Sequence, residues 1–403
     1  MNRHFWQTSP KKFLFPFFLL FVFLLSGCWD RKEINDIALI RAAGIDKKQD
    51  GKLEITVLLY VPKVRGGSEQ GMEGGGGGSM QTLIRSAQGK TFAEAMSILQ
   101  EKISRQIFWG HCEVFIFDEA IAKEGIAEHI DLFLRMPEFR ERSQLFISKQ
   151  KAQKILSLIS PLERDIAEVV RELGEQKLGM TVTTKDFAEM LVSEAGDTAV
   201  PWIKILPPIE GQEKKQTIAY ITGTAIFKRD KMVGKIDDSV TRGLLWLRDE
   251  IKYAVITVTP KDEKGYVSMN LLRANSKIIP KIKNEKWEVI LEAEAEDDII
   301  QNTTNLDVTN PRVVKSLEHQ LNVQLAKRVN ETLKEVQKDM KADVFGFADA
   351  FHREYPEIWK KEKDRWHVIF PNVEVTVAAK IKIRRQGMNS VLPQFPKKEV
   401  KEE

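Results

Sequence analysis

The sequence predicts an α+β protein: a multi-domain, lipid-anchored ectodomain of mixed, largely antiparallel sheets with packed helices. Three observations predict it. An apolar run that starts at Phe13 closes in Leu25-Ser26-Gly27-Cys28, strand and helix signals alternate through the first half, and paired β-branched runs followed by one long amphipathic pattern fill the second. With 403 residues, 42% of them apolar, the chain can bury two or three cores.

Arg3, His4, Lys11 and Lys12 precede a run composed almost wholly of Phe, Leu and Val, the charged-then-apolar layout of an export signal. The run is shorter than the roughly 20 residues a spanning helix needs. It is broken by Pro16 and followed at once by Asp30-Arg31-Lys32-Glu33. Residues 1–27 therefore read as a leader cleaved before Cys28, with Leu25, Ser26 and Gly27 as its recognition residues. Cys28 accepts a diacylglyceryl group, with or without a further N-acyl chain. Each buried methylene contributes about 0.8 kcal/mol and a single chain binds only marginally. Two chains would hold the folded part on the outer face of the membrane, where ATP-dependent chemistry is not expected.

In the mature N-terminal domain, 28–208, the segment 34–45 reads as a short helix or strand and Leu53 to Val61 as a strand. Residues 66–79, with five consecutive glycines from Gly74, form an exposed flexible loop. A helix follows from Phe92 to about Ser104, with Thr91 as its cap. Gly89-Lys90-Thr91 resembles the end of a phosphate-binding loop, but Ile84 stands where that motif needs its first glycine. Strands are expected at Val114 to Phe117 and Gln144 to Ser148. Between them lies a helix from Glu119 to Met136 that breaks near Gly125. Lys151 to Leu173 reads as helical, interrupted by Pro161. Polar residues from Ser193 to Lys215, with Pro201, Pro207 and Pro208, mark a boundary.

A small middle domain, 215–262, opens with a hairpin: Thr217 to Phe227 and Met232 to Lys235 flank Lys228-Arg229-Asp230-Lys231. A short helix from Thr241 to Leu247 brings Trp246 onto the core, and Ile251 to Thr259 is a strand. In the C-terminal domain, 263–388, two long strands meet across Lys283-Asn284-Glu285. Val314, Leu317, Leu321, Leu325, Val329, Leu333, Val336 and Met340 then recur at about 3.7 residues, one stripe of a helix lying on a sheet rather than a coiled coil. Asn310-Pro311 starts that helix. Val373 to Ile383 alternates as a strand with one buried face, and 389–403 is a tail.

Composition narrows the function. Loss of Arg3, Lys11 and Lys12 with the leader takes the formal charge from +4 to +1, so nucleic acid is not an expected partner. Of two cysteines, Cys28 is consumed by lipid and Cys112 is left as a small buried residue entering a strand. His111, His129, His319, His352 and His367 show no metal-ligand spacing. Glu292, Glu294 and Glu296 alternate with alanines and read as a solvated strand face, with Asp297 and Asp298 after them. No nucleophile elbow, Ser-x-x-Lys pair or dinucleotide fingerprint occurs. No cofactor, metal or catalytic residue is expected. An anchored hydrolase would have to use Asp297, Glu113 or His111, and a solute-binding lipoprotein would need a two-lobed cleft.

The residues that carry a resemblance run along the chain. Gly27-Cys28-Trp29-Asp30-Arg31-Lys32-Glu33-Ile34, Ser86 to Met96, Gly110-His111-Cys112-Glu113, Ile121 to Ile126 and Arg135 to Arg140 cover the first half. Gly223 to Phe227, Gly234, Arg242 to Leu247, Asp343 to Phe347, Tyr355 to Trp359 and Trp366 cover the second. In that order they resemble the Ger(x)C-type spore germination lipoproteins, the C subunits of nutrient germinant receptors; the glycine-rich insertion departs from the pattern. The resemblance implies a three-domain, non-catalytic ectodomain on the outer face of the inner spore membrane, working with integral A and B subunits. Small-molecule germinant binding is not expected on this subunit.

Overall fold

The computed structural model describes residues 36–61, 81–211, 213–261 and 263–385. The leader with its cassette, the stretch 66–79 and the tail 389–403 lie outside the described residues.

The first sheet holds β1 (Ile37–Lys47), β2 (Leu53–Val61), β3 (Gln81–Gly89), β4 (Gln106–Phe108), β5 (Val114–Asp118), β6 (Gln144–Ser148), β7 (Thr198–Ile205), β8 (Ala219–Lys228) and β9 (Lys231–Ile236). Their spatial order is β3-β2-β1-β5-β6-β7-β8-β9, with β4 also on β1. β1, β5, β6 and β7 form a parallel centre, and β2–β3 and β8–β9 flank it antiparallel. The sheet is covered on both faces, which explains the unbroken apolar runs of its central strands. Phe115 and Phe117 of β5 enter one core, while Val114 and Ile116 enter the other.

Helix α1 (Phe92–Glu101), α2 (Glu119–Glu124) and α3 (Ala127–Arg135) put Phe92, Leu99, Ile121 and Phe133 into the first core. Helices α4 (Ala152–Leu156) and α5 (Ile166–Glu175) put Ile155, Ile166 and Val170 into the second. Thr91 caps α1 as expected, its hydroxyl accepting from Glu94 N at 3.2 Å. The helix expected from Glu119 breaks at Gly125, whose φ of 128° is cheap only for glycine.

Helix α6 (Thr184–Val192) precedes β7, and α7 (Asp238–Leu247) follows β9. The second sheet, β10 (Val255–Val258), β11 (Val267–Lys283), β12 (Lys286–Asn302) and β13 (Glu374–Arg385), runs in sequence order, β13 parallel to β12 and the rest antiparallel. On its core face lies α8 (Pro311–Thr332), which buries Val313, Leu317, Leu321, Leu325 and Val329 and continues as a wider π turn to Met340. Asn310 caps α8 and Pro311 opens it. The face expected to be solvated carries Glu294 paired with Lys380 at 3.2 Å and Glu296 paired with Arg273 at 2.9 Å.

Besides β3, for which no strand was expected, two segments differ from expectation. The polar stretch 193–215 contains β7, a buried strand inside the first sheet. The segment 215–262, read as a middle domain, supplies strands to both sheets: β8 pairs with β7, β10 pairs with β11, and α7 spans the gap. Pairing with β8 gives β7 a hydrogen-bonded neighbour on its second side, which a buried strand needs.

Candidate functional site at the seam between the two sheets

Leu25, Ser26, Gly27 and Cys28, expected to carry the anchor, lie outside the described residues. Cys112 is fully buried, its Sγ 3.5 Å from the Val114 carbonyl, and burial pushes its thiol far above the ordinary value. It fills core and is a poor nucleophile. His111 and Glu113 stand at the entry to β5, whereas Asp297 lies in β12 of the other sheet, so the three hydrolase candidates do not converge. Among the described residues no group of three His, Cys, Asp or Glu is placed to hold a metal ion.

The polar groups that do converge sit where the sheets join, and α7 is the first fastening. Asp237 caps it, Oδ1 accepting from Val240 N at 2.9 Å. Val240, Leu244, Leu245, Trp246 and Leu247 are all buried, because the helix is covered from both halves. The Thr241 and Thr224 hydroxyls, on α7 and β8, are 3.0 Å apart. Thr332 at the end of α8 donates to the Val240 carbonyl at 2.8 Å. Gly243 lets the two helices approach, since a Cβ there would stand 2.1 Å from Thr332 Oγ1 and 2.7 Å from the Arg328 carbonyl. Arg248, just past α7, donates to the Val344 carbonyl at 2.7 Å and to Glu250 at 2.9 Å.

A second fastening joins the turn between α6 and β7 to the aromatic segment that contains α9 (Phe347–Glu354), α10 (Pro356–Glu362) and α11 (Trp366–Ile369). Asp197 accepts from Arg229 N at 2.9 Å and from Asp343 N at 2.8 Å. Asp343, buried, accepts from Phe347 N at 3.1 Å, Ala348 N at 2.8 Å and Trp366 Nε1 at 3.0 Å. Glu194 accepts from Trp359 Nε1 at 2.8 Å and lies 2.8 Å from His352 Nδ1. Trp287, Phe351, Trp366 and Trp359 pack edge to face beneath, with successive centroids 4.6 to 5.7 Å apart. Burial raises the Asp197 carboxyl. It raises Asp343 to about 6, against the pull of the Ala348 and Phe347 amides and with the adjacent Asp197 charge adding to the rise.

Every oxygen of these two carboxylates receives an N–H, so they fasten backbone rather than move protons. Beside them opens a cavity of about 380 Å³ lined by Asp186, Glu189, Asp197, Arg248 and Asp349. Sequence reasoning noted Asp343, Trp359 and Trp366 within motifs but not their partners Asp197 and Glu194. The local signal available was Asp343-Val344-Phe345-Gly346-Phe347, an acid four residues ahead of a helix's first residue.

Both halves fastened by this seam have known counterparts. A family model described as spore germination protein N-terminal domain matches residues 30–205, and one described as spore germination B3/GerAC like, C-terminal, matches 222–387. The chain is 29% identical to spore germination protein KC of Bacillus subtilis (strain 168), over 94% of this chain and 97% of that protein. It is 31% identical to putative spore germination protein YfkR of the same strain, over 92% and 95%, and 27% identical to spore germination protein GerQC of Bacillus cereus, over 92% and 98%. The crystal structure of the GerBC protein matches with a TM-score of 0.52 at 18% identity, covering 87% of this chain and 99% of that one, a likeness of fold.

Proposed function

Because the chain belongs to the Ger(x)C family of spore germination proteins, we propose that it is the lipid-anchored C subunit of a nutrient germinant receptor. On this reading it is a non-catalytic body tethered through Cys28 to the outer face of the inner spore membrane. It assembles there with the integral A and B subunits and couples nutrient sensing to germination.

The observation that carries the reading is the seam. Its carboxylates, indoles and α7 are spent on locking the two sheets together, which suits a body that passes on a position more than one that turns over a substrate. A solute-binding lipoprotein needs lobes that close about a hinge, and fastenings at α7, Asp197 and Glu194 oppose such closure. The anchor is supported by the cassette ending at Cys28, and no helix among the described residues is long and apolar enough to cross a membrane. A tether raises the local concentration of the body near membrane partners, so a modest interface holds the complex.

Affinity capture of the tagged full chain from dormant-spore membranes tests the assignment. Integral A and B subunits should co-purify, and should be lost from Cys28→Ala material. Repeated capture without any integral membrane protein would overturn it.

A further inference from the structure

The loop between α3 and β6 carries Arg140 and Arg142, which line a cavity of about 290 Å³ together with Glu113, Gln144, Arg171 and Glu175. The carboxylates in this lining are already neutralised. Glu113 lies 3.2 Å from Arg41 and 3.3 Å from Arg171, and Glu175 pairs with Arg171 at 2.6 Å. Arg140 and Arg142 have no carboxylate partner among the described residues. Arg140 Nη2 instead lies 3.2 Å from His111 Nδ1. Burial, then the charges of Arg140 and Arg41, hold that imidazole below its ordinary range. At neutral pH the ring is an uncharged acceptor and leaves the guanidinium charge uncompensated. Gln144 is buried behind them, its amide packed in the space that Gly174 leaves open.

We propose that this cavity binds a small oxyanion, a phosphate or a small carboxylate such as a hydroxycarboxylate, held by the guanidinium forks of Arg140 and Arg142. Guanidinium forks bind planar or tetrahedral oxyanions through paired, charge-assisted hydrogen bonds. The volume lies at the low end for ligand sites, which selects a small free anion over a peptide segment.

Thermal unfolding of the full chain in detergent, titrated with sodium phosphate and separately with malate, tests it, each against sodium chloride at matched ionic strength. A saturable rise in Tm beyond chloride is expected. Phosphate alone producing it assigns a phosphate ligand, and malate alone a carboxylate. Arg142→Gln removes an exposed side chain, so it should keep the unliganded Tm while weakening the response about tenfold. Glu175→Gln, which lowers the negative charge of the lining, should strengthen it. No saturable rise beyond chloride, or an undiminished response in Arg142→Gln, overturns the site.

Discussion

Asp297 is fully buried on the core face of β12, and neither of its carboxylate oxygens has a hydrogen-bond partner among the described residues. Burial, with the charge of Asp298 beside it, raises its carboxyl to about 7. A carboxyl raised in the fold is protonated there while already ionised in the unfolded chain, so stability is greatest below about pH 4 and is lost as pH rises through 7. Asp297→Asn should therefore unfold at higher temperature than wild type at pH 8, by roughly 1–2 kcal/mol once the cost of a buried amide is set against the relieved charge. The advantage should vanish near pH 5. Melting curves across pH 5 to 8 read both, and parallel curves would refute the account. Asp343 is the opposite case, because three N–H donors use its oxygens. Asp343→Asn turns an NH2 toward donors and should cost about 1–3 kcal/mol in chemical denaturation at pH 8, above the value near 6 to which burial raises Asp343. The face of Asp297 was legible in the sequence, since period-2 alternation sets it with Ala293 and Ala295 and opposite Glu294 and Glu296, although the acidic run led only to a solvated strand face being expected there. The partners of Asp343 were not, because the Asp197 that binds its amide is 146 positions away.

At the scale of elements, legibility followed periodicity. Helix α8 announced itself because one face repeats at α-helical spacing for about six turns and its start carries Asn310-Pro311. Strand β7 did not. Thr198 to Ile203 is buried on both faces, which erases alternation, and Pro201 reads as a breaker. The fold tolerates that proline where the β7–β8 register shifts between Pro201 and Ile203. Strand β3 was missed for the complementary reason: it lies at the sheet's edge, and its polar residues mimic a loop. Within the seam the critical approach is α7 against α8. A methyl at Gly243 would stand 2.1 Å from Thr332 Oγ1 and disturb the bond from Thr332 to Val240. Gly243→Ala should destabilise the protein by about 1–3 kcal/mol despite the higher helix propensity of alanine. An unchanged or raised denaturation midpoint would show that the helices can part without loss.

For the whole molecule, the proposed tether at Cys28 would set what the body can reach. Nine positions separate Cys28 from Ile37 at the start of β1, a span of at most about 30 Å. On the proposed role, the end of the first sheet where β1 begins faces the membrane, and β4, which pairs with Ile37 to Leu39, shares that end. Partners embedded in the same bilayer then meet this end at an effective concentration set by the linker. Once a flexible linker exceeds the span it must bridge, that concentration falls roughly as the −3/2 power of its length. Inserting Gly/Ser residues after Asn35 to make the linker about fourfold longer should keep the protein in the membrane fraction but lower recovery of the A and B subunits by about eightfold. Cys28→Ala should leave an uncleaved or soluble precursor and abolish recovery. The two variants separate anchoring from docking. Full recovery with the long linker would mean that the interface holds without help from the tether, and recovery after loss of the lipid would remove the tether from the mechanism altogether.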